Sequence, residues 1–406
     1  MKTVAIICEY NPFHNGHLYQ IEQIRRELGD DTVILALMSG NYTQRGELAV
    51  ADKSLRAKWA VMSGVNLCLE LPFPYSISSA EFFAKSAVHI LNSIGRVDYL
   101  SFGSECGDLS LLVKIARCML TEEYESLLSE LIADKKNAKR GYPELSYEAI
   151  LRVLGELDSI PDTTPNNILA LEYIKALIRT ESSIKPHTVK REGDYNSEIP
   201  HDRSILSATA ARKIFSEAPD ELCPYLPQPV IDGLMAAKRD GLAPTDASRL
   251  STAVISYLRL HPQSVSSDIH DAGGGLYNRL LAKSLESSNI DTLVLKTETR
   301  HYTTARIRRA IWYSFFGVTS SDMNEPPMYT QLLAMDQAGR RELKRIKKHS
   351  DFPILTKPSR ISELNDLARK QKMKSDLADS IFRLAMPAAP EENLTLTFTP
   401  YVKDDE

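Results

Sequence analysis

The chain has 406 residues, 43% of them hydrophobic and 25% charged, with a formal net charge of −4. That supply of apolar residues supports substantial cores, and the length implies two domains. No apolar stretch approaches the roughly 20 residues that span a bilayer, which argues against a helical membrane protein, and the slight acidity confines any nucleic-acid surface to a local patch.

The opening segment "MKTVAIICEYNPF" has one short apolar run and no cleavage-site pattern, so a first strand is expected and not a signal peptide. Strand-like runs follow at Thr32–Met38, Leu67–Leu71 and Tyr99–Phe102, after the first at Val4–Cys8. Between them lie the helical patterns "HLYQIEQIRREL", "KSLRAKWAVMSG" and "SAEFFAKSAVHILNSI". This alternation predicts an α/β fold, a Rossmann-like parallel sheet with helices on both faces. Such sheets bind ligands at the carboxyl ends of their strands. The loops there are "EYNPFHNGH", "SGNYTQRGE", "ELPFPYS" and "FGSECGD", all rich in Gly, Pro, Asn or other polar residues. A further strand is expected at Lys185–Glu192, then a helix over Ser207–Phe215.

The proline-rich "APDELCPYLPQPV" suggests a boundary near residue 218, with a catalytic domain at 1–218 and a mainly helical domain at 219–406. The five cysteines, Cys8, Cys68, Cys106, Cys118 and Cys223, form no CxxC pair. Their dispersal fits reduced thiols in a cytoplasmic protein and argues against a disulfide frame or a zinc site.

"HNGH" (His14–His17) stands where the first strand turns into a helix. A helix start presents unpaired N–H groups and the positive end of the dipole, and so attracts phosphate. Gly16 allows close approach to the backbone, and Pro12 fixes the entry turn. Imidazoles three apart reach one phosphate and can donate to the charge that grows at an α-phosphorus as pyrophosphate leaves. A bare HxxH is as readily a pair of exposed residues or of zinc ligands lacking partners; the strand before it, the helix after it and the glycine inside it favour the phosphate role. Catalysis of that kind is mostly positioning and needs no covalent nucleophile.

These residues resemble the HxGH motif of the nucleotidylyltransferase and class I aminoacyl-tRNA synthetase superfamily. "LSATAAR" (Leu206–Arg212) is similar to its second, ISSTxIR-type motif, with Ala211 where isoleucine is usual. Alone it reads more simply as a capped helix; within the resemblance Ser207, Thr209 and Arg212 hold the β- and γ-phosphates.

"EYNPFHNGH", "MSGNYTQRGELA", "ELPFPYS", "FGSE" and "PNNILALEY" together resemble the bacterial tRNA(Met) cytidine acetate ligase family over nearly the whole chain. The resemblance implies a ligase that activates acetate with ATP as acetyl-adenylate, releasing pyrophosphate. It then transfers acetyl to the exocyclic amine of the wobble cytidine of elongator tRNA(Met), giving N4-acetylcytidine and AMP. It implies His14 and His17 as catalytic residues. It implies ATP contacts from Ile7, Cys8, Glu9, Tyr10, Asn11, Pro12, Phe13, His14, Asn15, Gly16, His17, Leu18, Tyr19 and Gln20. Gly103, Arg191 and Asn167, with Asn166 as the alternative, complete the set. Ala170 and Leu48 stand where the family usually has glycine and proline; neither change removes a polar group.

Read for themselves, Gly103 permits close approach after a strand, the "PNN" asparagines are more often helix caps, and an arginine placed like Arg191 is usually solvated surface. In "SGNYTQRGE", Arg45 could face phosphate or RNA and the surroundings of Gly40 and Asn41 could accept acetate; a plain polar loop is an equal reading.

"KTETRHYTTARIRRAIWY" carries Arg300, Arg306, Arg308 and Arg309 among aromatic residues and is expected to hold tRNA. "LKRIKKHS" is more simply a solvated helix face. Magnesium is expected to arrive on the nucleotide, since no cluster offers a dedicated metal cage; no membrane and no obligate protein partner are implied. Two other readings remain: a small-molecule nucleotidylyltransferase, which would not need the helical half, and a nucleotide-sensing RNA-binding module, against which the intact histidine pair argues.

Overall fold

The computed structural model describes residues 1–137, 140–155, 164–191, 206–261, 268–389 and 397–404. Its centre is a sheet of eight strands: β1 (Thr3–Cys8), β2 (Val33–Ser39), β3 (Leu67–Leu71), β4 (Tyr99–Ser104), β5 (Lys185–Lys190), β6 (Thr330–Met335), β7 (Ile354–Leu355) and β8 (Tyr401–Val402). The order is β5-β4-β1-β2-β3-β6-β7, with β8 also on β6. The first five strands run parallel, as the helical crossovers between them require; the inner strands β1, β2 and β3 are near-continuous apolar runs, while β5, KPHTVK, is a polar edge strand. β6 joins β3 antiparallel.

Side-chain alternation along β2 serves two cores. Leu35 and Leu37 point into one with the helices Ala80–Ile94, Pro165–Arg179 and Thr304–Phe316. Ile34, Ala36 and Met38 point into the other with the helices Asn15–Leu28, Lys53–Met62 and Gln228–Arg239. Both cores therefore mix residues from before and after residue 218.

The expected helical character beyond 218 holds as far as Asn324 among the described residues, and the chain then returns to the sheet as β6, β7 and β8. The helix Asp366–Arg383 is tied to the sheet by a buried cluster in which Lys53 Nζ lies 2.6 Å from both Glu70 and Asp379. The two carboxylates hold the Lys53 ammonium charged despite the cost of burial. Residue 218 thus separates two textures of sequence, not two separately closed cores.

All five cysteines are free. Among the described residues no helix is long and apolar enough to cross a membrane.

Candidate active site

The site lies at the carboxyl ends of β1, β2, β4 and β5. His14 caps the helix Asn15–Leu28 in a reciprocal arrangement: its Nδ1 accepts from the Gly16 amide at 3.1 Å, while its own amide donates to His17 Nδ1 at 3.1 Å. The rings stack with centroids 3.7 Å apart. His14 is buried, and burial together with the Arg191 guanidinium lowers its pKa to about 3. Burial, His14 and Arg191 push His17 down as well. Both rings are therefore neutral near pH 7. With each Nδ1 occupied as an acceptor, each proton sits on Nε2. The pair offers two Nε2–H donors without charge of its own.

The rest of the loop is scaffolding for that pair. Tyr10 and Phe13 are buried and wedge the His17 ring from centroid distances of 4.9 and 5.4 Å. Asn15 ties the helix start to the carbonyls of Pro224 and Tyr225. Asn11 Oδ1 accepts from the Val50 amide at 2.6 Å. Cys8 is buried, and burial raises its thiol pKa, which makes it inert. Glu9 accepts from the Gln44 amide at 2.8 Å, and burial raises its carboxyl pKa. Ile7, Leu18 and Tyr19 are partly buried against the cores, and Gln20 donates to Ser101 at 3.4 Å. Pro12 is buried at the entry turn.

Gly103, Asn166, Asn167 and Arg191 converge over β4 and β5. A Cβ at Gly103 would lie 2.8 Å from Arg191 Cγ, so glycine lets that side chain cross the strand. Arg191 donates to Asn166 Oδ1 at 3.0 Å. Asn167 is buried and its Oδ1 accepts from the amides of Glu105 and Cys106, which fixes the turn after β4. Both asparagines thus reach the site, Asn166 beside the arginine and Asn167 beneath the turn. Ala170 packs into a core, so the methyl is accommodated where glycine is usual.

Glu105 organises this corner and was not among the expected residues. Its carboxylate accepts from Thr164 Oγ1, Asn166 Nδ2 and the Asn167 amide. Partial burial alone would raise its pKa, but these donors prevail and lower it. A second unanticipated residue is Arg56, wholly buried, whose guanidinium donates to the carbonyls of Glu9, Ser39, Gly40 and Ala51. It locks the ends of β1 and β2 together. Neither residue has a local sequence signal: a Glu in a loop and an Arg at helical spacing both look solvated.

The helix Ala208–Glu217 is capped by Ser207, whose Oγ accepts from the Ala210 amide at 3.2 Å. Ser207 and Thr209 are exposed at its start. Arg212 reaches back to donate to the Asn11 carbonyl at 3.1 Å and pairs with Glu47 at 2.7 Å. The second motif thereby meets the histidine loop.

Two expectations need correcting. The surroundings of Gly40 and Asn41 are not open: Glu70 Oε1 fills the space a Gly40 Cβ would take, and Asn41 is buried and bonded to Asp52, Lys53 and Asp379. Arg309, expected to hold tRNA, is buried and paired with Asp271 at 2.6 Å. Arg306 is partly exposed, pairs with Asp271 at 3.2 Å and donates to the carbonyls of Asp271 and Gly273. Arg308 is partly exposed and pairs with Glu47 at 2.7 Å, and Arg300 is exposed. Arg45 is exposed. Among the described residues no group of three or more His, Cys, Asp or Glu converges as metal ligands do.

Known proteins show to which family the chain is similar. The family model described as HIGH Nucleotidyl Transferase matches residues 1–395. The chain is 37% identical over 391 residues to the tRNA(Met) cytidine acetate ligase of Acetivibrio thermocellus, covering 93% of each. It is 35% identical over 371 residues to the enzyme of that name from Clostridium acetobutylicum, covering 88% of this chain and 90% of the relative. Among solved structures, Thermotoga maritima TmcAL bound with alpha-thio ATP superposes with a TM-score of 0.88 at 29% identity, over 99% of both chains.

Proposed function

The chain belongs to the tRNA(Met) cytidine acetate ligase family of HIGH nucleotidyl transferases, and from that premise we propose that it acetylates the wobble cytidine of elongator tRNA(Met) using ATP and free acetate. The observation that carries the reading is the neutral His14–His17 pair, with two Nε2–H donors at a helix start beside the Gly103–Asn166–Arg191 corner.

ATP lies with its adenosine over β4 and β5 and its α-phosphate over β1. A carboxylate oxygen of acetate attacks the α-phosphorus, the bond to pyrophosphate breaks, and acetyl-adenylate forms. The two Nε2–H groups donate to the α-phosphate oxygens as charge grows there, and neutral donors add no repulsion toward the arginines around them. Arg212, Ser207 and Thr209 face the leaving phosphates. Magnesium enters on the triphosphate, as part of the substrate. In the second step the cytidine N4 attacks the acetyl carbonyl carbon, the bond to AMP breaks, and the nitrogen loses one proton. Arg300, Arg306 and Arg308 are partly or wholly exposed cations suited to the RNA backbone. The reaction takes place in the cytoplasm, without an obligate protein partner.

The test is exchange of labelled pyrophosphate into ATP. Exchange that requires acetate but no RNA supports acetyl-adenylate formation; exchange that appears only with a phosphorylated metabolite contradicts it.

A further inference from the structure

A cavity of about 290 Å³ opens beside Glu47 and shares Arg212 with the histidine loop. Its lining includes Glu47, Arg212, Thr245, Ile290, Arg308 and Trp312. We infer that this cavity receives the base and ribose of the target cytidine, lifted out of the RNA loop; the inference rests on the activity proposed above.

Position is the first argument. Along the sheet the order is β5-β4-β1-β2. The adenosine corner sits over β4 and β5, the histidine pair over β1, and the loop with Glu47 follows β2. Arg212 joins the cavity to the histidine loop, since one of its nitrogens donates to the Asn11 carbonyl at 3.1 Å and another meets Glu47 at 2.7 Å. An amine that attacks acetyl-adenylate must approach from the side the adenosine leaves open, and the cavity is there.

The wall is rigid and built from both halves of the chain. Gly46 (φ +78°) lies so close to the helix Thr304–Phe316 that a Cβ would stand 2.7 Å from Arg308 Cβ. The Trp312 indole donates to the Gly46 carbonyl at 3.0 Å. Thr245 clasps the same loop through the Ala49 and Val50 carbonyls. A preformed site of this kind loses little entropy on binding.

Chemistry selects the occupant. The volume is just below the roughly 300–1,000 Å³ of small-ligand sites and takes one nucleoside, not a base pair. Trp312 and Ile290, both nearly buried, give the cavity a fixed apolar floor that meets a flat ring at its edge. Glu47 bridges Arg212 and Arg308, each at 2.7 Å, and a carboxylate with about four acceptor positions keeps capacity for one more donor. Carboxylates accept from the exocyclic amine of cytosine. Asp291 also lines the cavity, so its two acids balance Arg212 and Arg308, and the lining carries no net charge to draw in a free anion.

Two measurements test this. In the first, Ser216→Trp and Ala247→Trp fill the cavity from separate walls, and labelled acetate, ATP and an anticodon stem-loop RNA report acetyl-adenylate and acetylated RNA in the same tube. The ratio of transfer to adenylate should fall at least about tenfold in both variants. Thr252→Trp, in the separate cleft beside the helix Ser251–Leu260, should leave the ratio unchanged. Ratios within twofold of wild type in both filled variants overturn the inference. In the second, Glu47→Gln supplies an amide donor where the carboxylate only accepts. The binding preference for the stem-loop with cytidine over the same loop with uridine at the target position should fall at least about fivefold; an unchanged preference overturns the role of Glu47. If wild type makes acetyl-adenylate but never acetylates the RNA, the proposed transfer fails and the inference falls with it, a result distinct from loss in the variants alone.

Discussion

His14 and His17 stack with ring centroids 3.7 Å apart, and each Nδ1 accepts a backbone amide. Two cations would not hold that geometry, so the pair works as neutral donors. His14→Ala or His17→Ala should each lower acetate-dependent pyrophosphate exchange by about 10²–10³, the usual cost of one lost donor to transition-state charge. ATP binding measured by calorimetry should persist. Near-normal exchange in both variants would remove the pair from the chemistry.

The same burial makes stability depend on pH. The folded pKa of His14 is about 3, below its unfolded value of 6.5, so below pH 6.5 the unfolded chain binds the extra proton. Stability from the neutral ring is complete above 6.5 and declines as pH falls toward 3. The decline per histidine approaches about 1.4 kcal/mol per pH unit. Urea unfolding at pH 7 and pH 5 should show a shallower fall for His14→Asn than for wild type; parallel falls would contradict it.

Gly103→Ala should act through Arg191, whose Cγ and Cδ lie 2.8 and 2.9 Å from the new methyl. Displacing the guanidinium from Asn166 should raise KM for ATP about tenfold and leave kcat within about threefold, the pattern of lost uniform binding. A fall in kcat at constant KM would place Arg191 in the chemical step instead.

Arg309 and Arg300 should separate stability from RNA binding. Arg309→Ala leaves Asp271 with Arg306 alone and should cost about 1–3 kcal/mol of stability. Arg300→Ala should leave the melting temperature unchanged and lower the salt slope of tRNA binding by about one. Equal loss of stability in both variants would refute the distinction.

The strands β1 to β4 were legible because largely apolar runs alternate with helical spacing. β6 was not: "TQLLAM" is a short apolar run with no period of its own, set between helical stretches. "HNGH" was legible because phosphate binding at a helix start leaves a local mark. Glu105 and Arg56 left none, since each acts through partners distant in sequence, up to 62 residues away for Glu105. Arg309 misled for the same reason: Asp271, its partner, stands far from it in the chain.

The most direct measurement supplies ATP, elongator tRNA(Met) and either labelled acetate or labelled acetyl-CoA, followed by mass spectrometry of the digested nucleosides. Label from acetate alone should appear in N4-acetylcytidine, with pyrophosphate released and acetyl-CoA inert. Label from acetyl-CoA, with none from acetate, would contradict an acetyl-adenylate made at the His14–His17 pair.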